Sequence, residues 1–200
     1  MKSILMSIQP KWCGLIASGK KTVEVRKTKP KLETPFKVYI YCTNTKPYLV
    51  WGDVFRGNWE TKFTHLSGYS REEAERIWDV FNGKIIGEFV CDKLVWVLAH
   101  PSIFAKHPTF YSKSINDACL TQDEVEQYSC GKDVYGWHIS DLVIYDEPKE
   151  LSEFKKINRE CWYADLGLAK RDCPECKNAE CFISRPPQSW CYVEGGEVDA

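Results

Sequence analysis

The stretch that decides the fold is Leu15-Ile16-Ala17-Ser18-Gly19-Lys20-Lys21-Thr22-Val23-Glu24-Val25-Arg26. Its first part, taken with Lys11 and Trp12, places Trp12, Leu15 and Ile16 at helical spacing, and Gly19 stands where a helix ends in the left-handed conformation. Its second part alternates polar and β-branched residues, the period of two that marks a strand with one buried face. Val23 and Val25 are predicted to face a core, and Thr22, Glu24 and Arg26 to share the opposite side.

Outward from this segment the chain is mostly β. Ile4 to Ile8 reads as a first strand ended by Gln9 and Pro10, and Phe36 to Cys42 as a third strand that stops at Thr43-Asn44-Thr45-Lys46-Pro47. Lys84 to Leu98 reads as one long central strand, with a bend permitted at Gly87. Tyr135 to Tyr145 returns to β pattern, with Tyr135, Trp137 and Ile139 on one face and Gly136, His138 and Ser140 on the other. Two capping patterns, Ser70 with Glu73 and Thr121 with Glu124, open helices that end near Gly83 and Gly131. Residues 48–83 are therefore read as an insertion lying against the β domain, which spans residues 1–147. Residues 148–200 form a C-terminal extension, with five of the ten cysteines and one short strand from Trp190 to Val193.

Composition narrows the class. Hydrophobic residues make up 44% and aromatic residues 14% of the 200 positions, enough for a packed core, and no stretch is apolar enough over its length to cross a bilayer. The opening residues lack an export signal, so the cysteines are expected in a reducing compartment, the cytoplasm. The net charge of -1 excludes a global field that draws nucleic acid, but Lys11, Lys20, Lys21, Arg26, Lys27, Lys29 and Lys31 crowd the first 31 residues beside a single acid, Glu24. A solvated basic surface and a local anion site both explain that cluster.

Glu24 and Arg26 point the same way about 6.5–7 Å apart along the strand, close enough to serve one ligand. A carboxylate accepts from exocyclic amines and a guanidinium donates in a fork to phosphate, so such a pair reads a base edge and holds a phosphate. Lys21 adds a mobile charge and Thr22 a hydroxyl. The plain alternative is a surface ion pair worth about 0–1 kcal/mol. Trp12, Tyr41, Trp51, Trp59 and Trp137 are the aromatic residues able to stack a base, although Trp137 alternates as a core residue. His138, His100 and His107 form no triad and no metal spacing.

Cys173-Pro174-Glu175-Cys176 has the spacing zinc prefers, and Cys181 and Cys191 are the residues able to complete a four-thiolate site. Nine residues separate that second pair, which is not the second Cys-x-x-Cys of a zinc ribbon. Buried or redox-idle thiols are the alternative, and nothing else in the sequence calls for a cofactor. Trp190, after the rigid Pro186-Pro187 turn, is read as the anchor that docks the extension, with Arg185 near the polar strand.

The segment Ser7-Ile8-Gln9-Pro10-Lys11-Trp12 followed by Leu15 to Arg26 resembles the signature of the ASCH domain, a relative of the PUA domain, with its Lys-Thr-x-Glu-x-Arg on the second strand. Ile85-Ile86-Gly87-Glu88-Phe89 and Tyr135-Gly136-Trp137-His138-Ile139 fit the likeness, which covers residues 1–147. It implies a PUA-like β-barrel edged by helices, and a cleft bounded by Lys11, Trp12, Lys21, Thr22, Glu24 and Arg26 that takes RNA, a nucleotide or a modified nucleoside. Larger phage and prophage proteins share this architecture. Some small enzymes of the family deacylate N4-acetylated cytidine and carry Lys-Thr-x-Thr there. In this chain the second Thr is replaced by Glu24, which removes the hydroxyl nucleophile and leaves Lys21 and Glu24 as a possible catalytic pair acting on water. The acidic partner of those enzymes lies farther along, and Glu88, Glu124 and Glu126 all qualify. A protein-interaction scaffold without a ligand is the remaining alternative.

Overall fold

The computed structural model describes residues 2–44, 82–100, 107–157 and 182–195. The expected insertion at 48–83, with its Ser70–Glu73 cap, Trp51 and Trp59, lies outside these residues save for its last two, Asn82 and Gly83.

The described chain is mainly β with a few helices. Nine strands run β1 (Lys2–Ile8), β2 (Val23–Arg26), β3 (Phe36–Cys42), β4 (Ile85–Cys91), β5 (Leu94–Ala99), β6 (Thr109–Phe110), β7 (Val134–His138), β8 (Ser140–Lys149) and β9 (Trp190–Glu194). Three α-helices, α1 (Pro10–Ala17), α2 (Ser112–Asp117) and α3 (Gln122–Ser129), and a 3-10 turn at Leu151–Glu153 complete it. The strands do not close into one ring. They form a five-stranded sheet ordered β8-β4-β3-β1-β9 and a four-stranded sheet ordered β2-β7-β5-β6.

Two corners explain why the expected barrel is a pair of sheets. The long strand predicted over 84–98 is two strands, since β4 bonds in the first sheet and β5 in the second, with the polar pair Asp92-Lys93 at the turn. The run 135–145 divides in the same way at Ile139, between β7 and β8. The corners meet: His138 N–H donates to the Lys93 carbonyl at 3.1 Å, His138 Nδ1 lies 2.6 Å from Asp92 Oδ1, and Ser140 Oγ donates to the Val90 carbonyl at 2.9 Å. Strands that change sheets at corners build a sandwich with one shared core.

Three apolar layers follow from the alternation. Ile4, Met6, Ile8, Phe36, Val38, Ile40, Phe89 and Trp137 form the main cluster. Val23 and Val25 pack on the opposite face of their sheet with Val97, Leu98, Ile115 and Val125, under α2 and α3. Leu5, Tyr39 and Ile85 pack with Phe154, Ile183 and Val193 on the far side of the first sheet. β1 is thus buried on both faces, as its continuous Ile4-Leu5-Met6 run requires, and each such side chain contributes about 1.5–3 kcal/mol of burial. Gly87 earns its place by close approach: a Cβ there would lie 2.3 Å from the Val143 carbonyl oxygen, where the β4–β8 register shifts.

The C-terminal residues are part of this frame. β9 pairs antiparallel with β1, Met6 opposite Trp190 and Lys2 opposite Glu194. Trp190 packs 5.7 Å from Trp137, centroid to centroid, and its indole N–H donates to Thr28 Oγ1 at 3.1 Å.

Candidate functional site

α1 begins with Pro10 in its first turn and ends at Ser18, after which Gly19 takes φ +71° and turns the chain so that Lys21 enters the interior. β2 then pairs with β7, Glu24 opposite Trp137 and Arg26 opposite Tyr135. With Val23 and Val25 under the helices, the alternation sends Glu24 and Arg26 to the other face. There they meet not solvent but the ends of β1 and of the C-terminal segment.

Lys21 and Glu24 are each only 2% exposed. Arg26 Nη1 lies 2.6 Å from Glu24 Oε1, and Lys21 Nζ lies 3.4 Å from Glu24 Oε2. Lys21 Nζ also donates to the Ala118 carbonyl at 2.7 Å, at the C-terminal end of α2, and Arg26 Nη2 donates to the Ser7 carbonyl at 2.6 Å. The expected mobile charge at Lys21 is therefore fixed. Burial lowers the Lys21 pKa from its ordinary value, and the adjacent Glu24 carboxylate opposes that fall only in part. Despite this crowding, Glu24 Oε2 and Arg26 Nε are buried without a hydrogen-bond partner.

Above these charges opens a cleft of about 780 Å³. Lys21, Glu24, Val25 and Arg26 make its floor, Gln9 and Trp12 one wall, and Gln127 and Tyr128 of α3 another. Pro186 to Ser189 close a third side, tied down by Ser7, whose Oγ donates to the Pro187 carbonyl at 2.6 Å and whose N–H donates to the Ser189 carbonyl at 2.9 Å. Each aromatic wall carries a lysine: Lys11 Nζ is 4.0 Å from the Trp12 ring centroid, and Lys27 Nζ is 4.9 Å from that of Tyr128. Two cations, Lys21 and Arg26, and two carboxylates, Glu24 and Glu124, are the charged groups of the lining, and Lys11 and Lys27 add charge over its rings.

Of the residues singled out from sequence, Lys21, Glu24, Arg26 and Trp12 come together on this cleft. Lys11 reaches it through the Trp12 ring. Thr22 does not line it; its backbone is spent on Asp117 and Ile139. Tyr41 and Trp137 are buried in two different apolar clusters. Of the three candidate acids, Glu124 lines the cleft, but its carboxylate accepts from the Thr121 N–H at 2.8 Å in the predicted capping box. Glu88 binds Lys37 at 2.7 Å and the Tyr145 hydroxyl at 2.5 Å away from the cleft, and Glu126 is exposed. Tyr128 and the Pro186–Ser189 wall were not expected, since only tertiary contact brings them here; Arg185 is exposed and not part of the wall.

Cys173, Cys176 and Cys181 lie outside the described residues. Cys191 sits in β9 opposite Leu5, its thiol pKa raised by burial, and no group of three metal-ligating side chains occurs among the described residues. No described helix is long and apolar enough to cross a membrane.

Residues 6–91 match the family model of the ASCH domain. That span runs from the last residues of β1 through β4 and includes the whole Lys21–Arg26 floor. Two crystal structures of an ASCH protein from Zymomonas mobilis resemble it, one of them a point mutant. Each is 17% identical to this chain; they cover 97% and 96% of it and 91% and 87% of their own lengths, with TM-scores of 0.47 and 0.46. No curated protein matches the sequence.

Proposed function

We propose that this cleft binds RNA or a nucleotide, with Glu24 and Arg26 reading the ligand and Trp12 and Tyr128 flanking its base. The observation that carries the reading is the buried Glu24 carboxylate of the cleft lining, with Arg26 on one oxygen and Lys21 3.4 Å from the other, which is left without a close hydrogen bond. Leaving a buried acceptor unsatisfied costs about 1–3 kcal/mol, and a ligand amino group removes that cost. The cavity volume suits a small polar ligand, Arg26 with Lys11 and Lys27 beside the rings suits its phosphate, and the ring walls suit its base. The ASCH family is associated with RNA chemistry, which favours the same ligand class.

Titrating the full chain with nucleotides and with a short RNA, at two salt concentrations, tests this. Binding is expected to weaken with salt and to fall roughly tenfold or more in Arg26→Ala and Lys21→Ala, the loss of one charged hydrogen bond. Affinity unchanged in both folded variants would refute the proposal.

One observation favours a second reading, an amidohydrolase acting on an acylated cytidine: the lowered pKa of Lys21 places a proton donor beside a buried carboxylate able to take a proton from water. It requires turnover of N4-acetylcytidine that Lys21→Ala and Glu24→Gln abolish. Absence of turnover in the wild-type chain across a panel of acylated nucleosides removes it.

A further inference from the structure

The face of the second sheet that carries Glu24 and Arg26 does not end at the cleft. Arg26 lies directly opposite Tyr135 on β7, and Tyr135 directly opposite Trp96 on β5, so the three side chains form one row across three strands on the same face. Trp96 and Tyr135 pack with ring centroids 4.8 Å apart and planes tilted by 40°. Trp96 is nevertheless 40% exposed. Lys29 Nζ stands 5.3 Å from the Tyr135 ring. An open indole beside a tyrosine with a lysine over it is poor as a core and well suited to a stacked base with its phosphate.

We infer that this row is a second contact for the ligand of the cleft, so that the ligand is a single-stranded polynucleotide rather than a free nucleotide. The inference rests on the nucleotide reading of the cleft. Successive strands lie about 4.8 Å apart, which puts Trp96 roughly 10 Å from Arg26 along the row. One nucleoside in the cleft does not span that distance, whereas the next few nucleotides of a strand do. The charges follow the same line: Lys27 stands over Tyr128 at the cleft wall and Lys29 over Tyr135 beyond it, two cations beside two rings along the path of a phosphate chain. Stacking on rings is indifferent to base identity and needs unpaired bases, which excludes a duplex.

The experiment compares uridine and cytidine monophosphates with ten-nucleotide oligouridylate, oligodeoxythymidylate and a duplex RNA, each binding to wild type, Trp96→Ala, Trp96→Phe and Arg26→Ala. Trp96 is a surface residue, so Trp96→Ala is expected to fold, which circular dichroism and thermal melting verify. The expected result is tighter binding of the single strands than of mononucleotides. Trp96→Ala then weakens oligonucleotide binding by about fivefold or more, the loss of one base stack, and leaves the mononucleotides unchanged. Trp96→Phe recovers most of the loss. Equal affinity for the two single strands assigns the row to single-stranded nucleic acid in general, and preference for the ribose strand assigns it to RNA; both support the inference. Oligonucleotide affinity indifferent to Trp96→Ala, or no tighter than that of a mononucleotide, overturns it, as does preferential binding of the duplex. Those results leave the cleft reading standing if Arg26→Ala still weakens mononucleotide binding. A wild-type chain that binds none of the probes overturns both.

Discussion

Two ion clusters on neighbouring parts of the molecule use the same chemistry to opposite effect. On the first sheet Glu88 is shared between Lys37 at 2.7 Å and the Tyr145 hydroxyl at 2.5 Å, so that each carboxylate oxygen has a partner, and its side chain is 21% exposed. On the second sheet Glu24 is shared between two cations, is 3% exposed, and still leaves Oε2 without a hydrogen bond. Glu24 lines the cleft, and Glu88 does not. A cluster that serves the fold satisfies its polar atoms, and the buried atom left without a close hydrogen bond in the cleft lining is what the proposed ligand contact rests on.

The widest separation between the clusters is expected in alanine substitutions followed by urea unfolding. Glu24→Ala strands two cations in the interior and should cost about 3–5 kcal/mol, the penalty for breaking a buried pair from one side. Glu88→Ala leaves Lys37 and Tyr145 with access to water and should cost about 1–2 kcal/mol. Equal losses would erase the distinction, and a smaller loss for Glu24 would reverse it.

The pH dependence of stability separates the clusters next, because their groups shift in ways that act at opposite ends of the scale. Burial holds the Lys21 pKa below 10.5, so between that lowered value and 10.5 the unfolded chain binds more protons than the folded one, and stability rises with pH across the window. Lys21→Met should flatten that alkaline rise. At Glu88 burial acts upward, but the hydrogen bonds from Lys37 and Tyr145 outweigh it and the pKa falls below 4.5. Its contribution is present above 4.5 and is lost as the pH falls through the lowered value, so Glu88→Gln should flatten the acid limb and leave the alkaline one alone. Urea midpoints measured across both windows check the two signs.

What the sequence discloses about these clusters is their local part. The stop at Gly19, the Val23/Val25 alternation, the Phe36–Cys42 strand and the Thr121–Glu124 cap each depend on residues within a few positions of one another, and all of them stand in the structure. The same alternation hides the corners. A period of two continues through Asp92-Lys93 and Ile139 whether or not the next residue bonds to the same sheet, so two strands read as one and two sheets as a barrel. Lys21 is hidden for a related reason: its burial depends on the Ala118 carbonyl, 97 positions away. The same holds for the Pro186–Ser189 wall, which reaches the cleft through β9 pairing with β1 at the other end of the chain. Short polar α2, with its Ser112-Lys113-Ser114 start, has no apolar period to announce it. Residue types at the site were legible, and the depth that gives them their chemistry was not.

A third ion pair sets the lower end of the comparison. Lys113 Nζ lies 2.7 Å from Asp117 Oδ2, four positions on along α2, but the lysine side chain is 87% exposed and the aspartate 31%. Water screens both charges, and such helical pairs are worth about 0.2–0.5 kcal/mol. Its position makes it a useful control, because α2 also supplies the Asp117 carbonyl to the Thr22 N–H and is followed by the Ala118 carbonyl that holds Lys21. Lys113→Ala removes the charge without touching either backbone bond. It should therefore shift the urea midpoint by no more than that small amount and leave ligand affinity at the wild-type value. A larger effect on binding would mean that the floor of the cleft responds to the surface of α2, and the line between the buried cluster proposed to hold a ligand and this exposed pair would have to be redrawn.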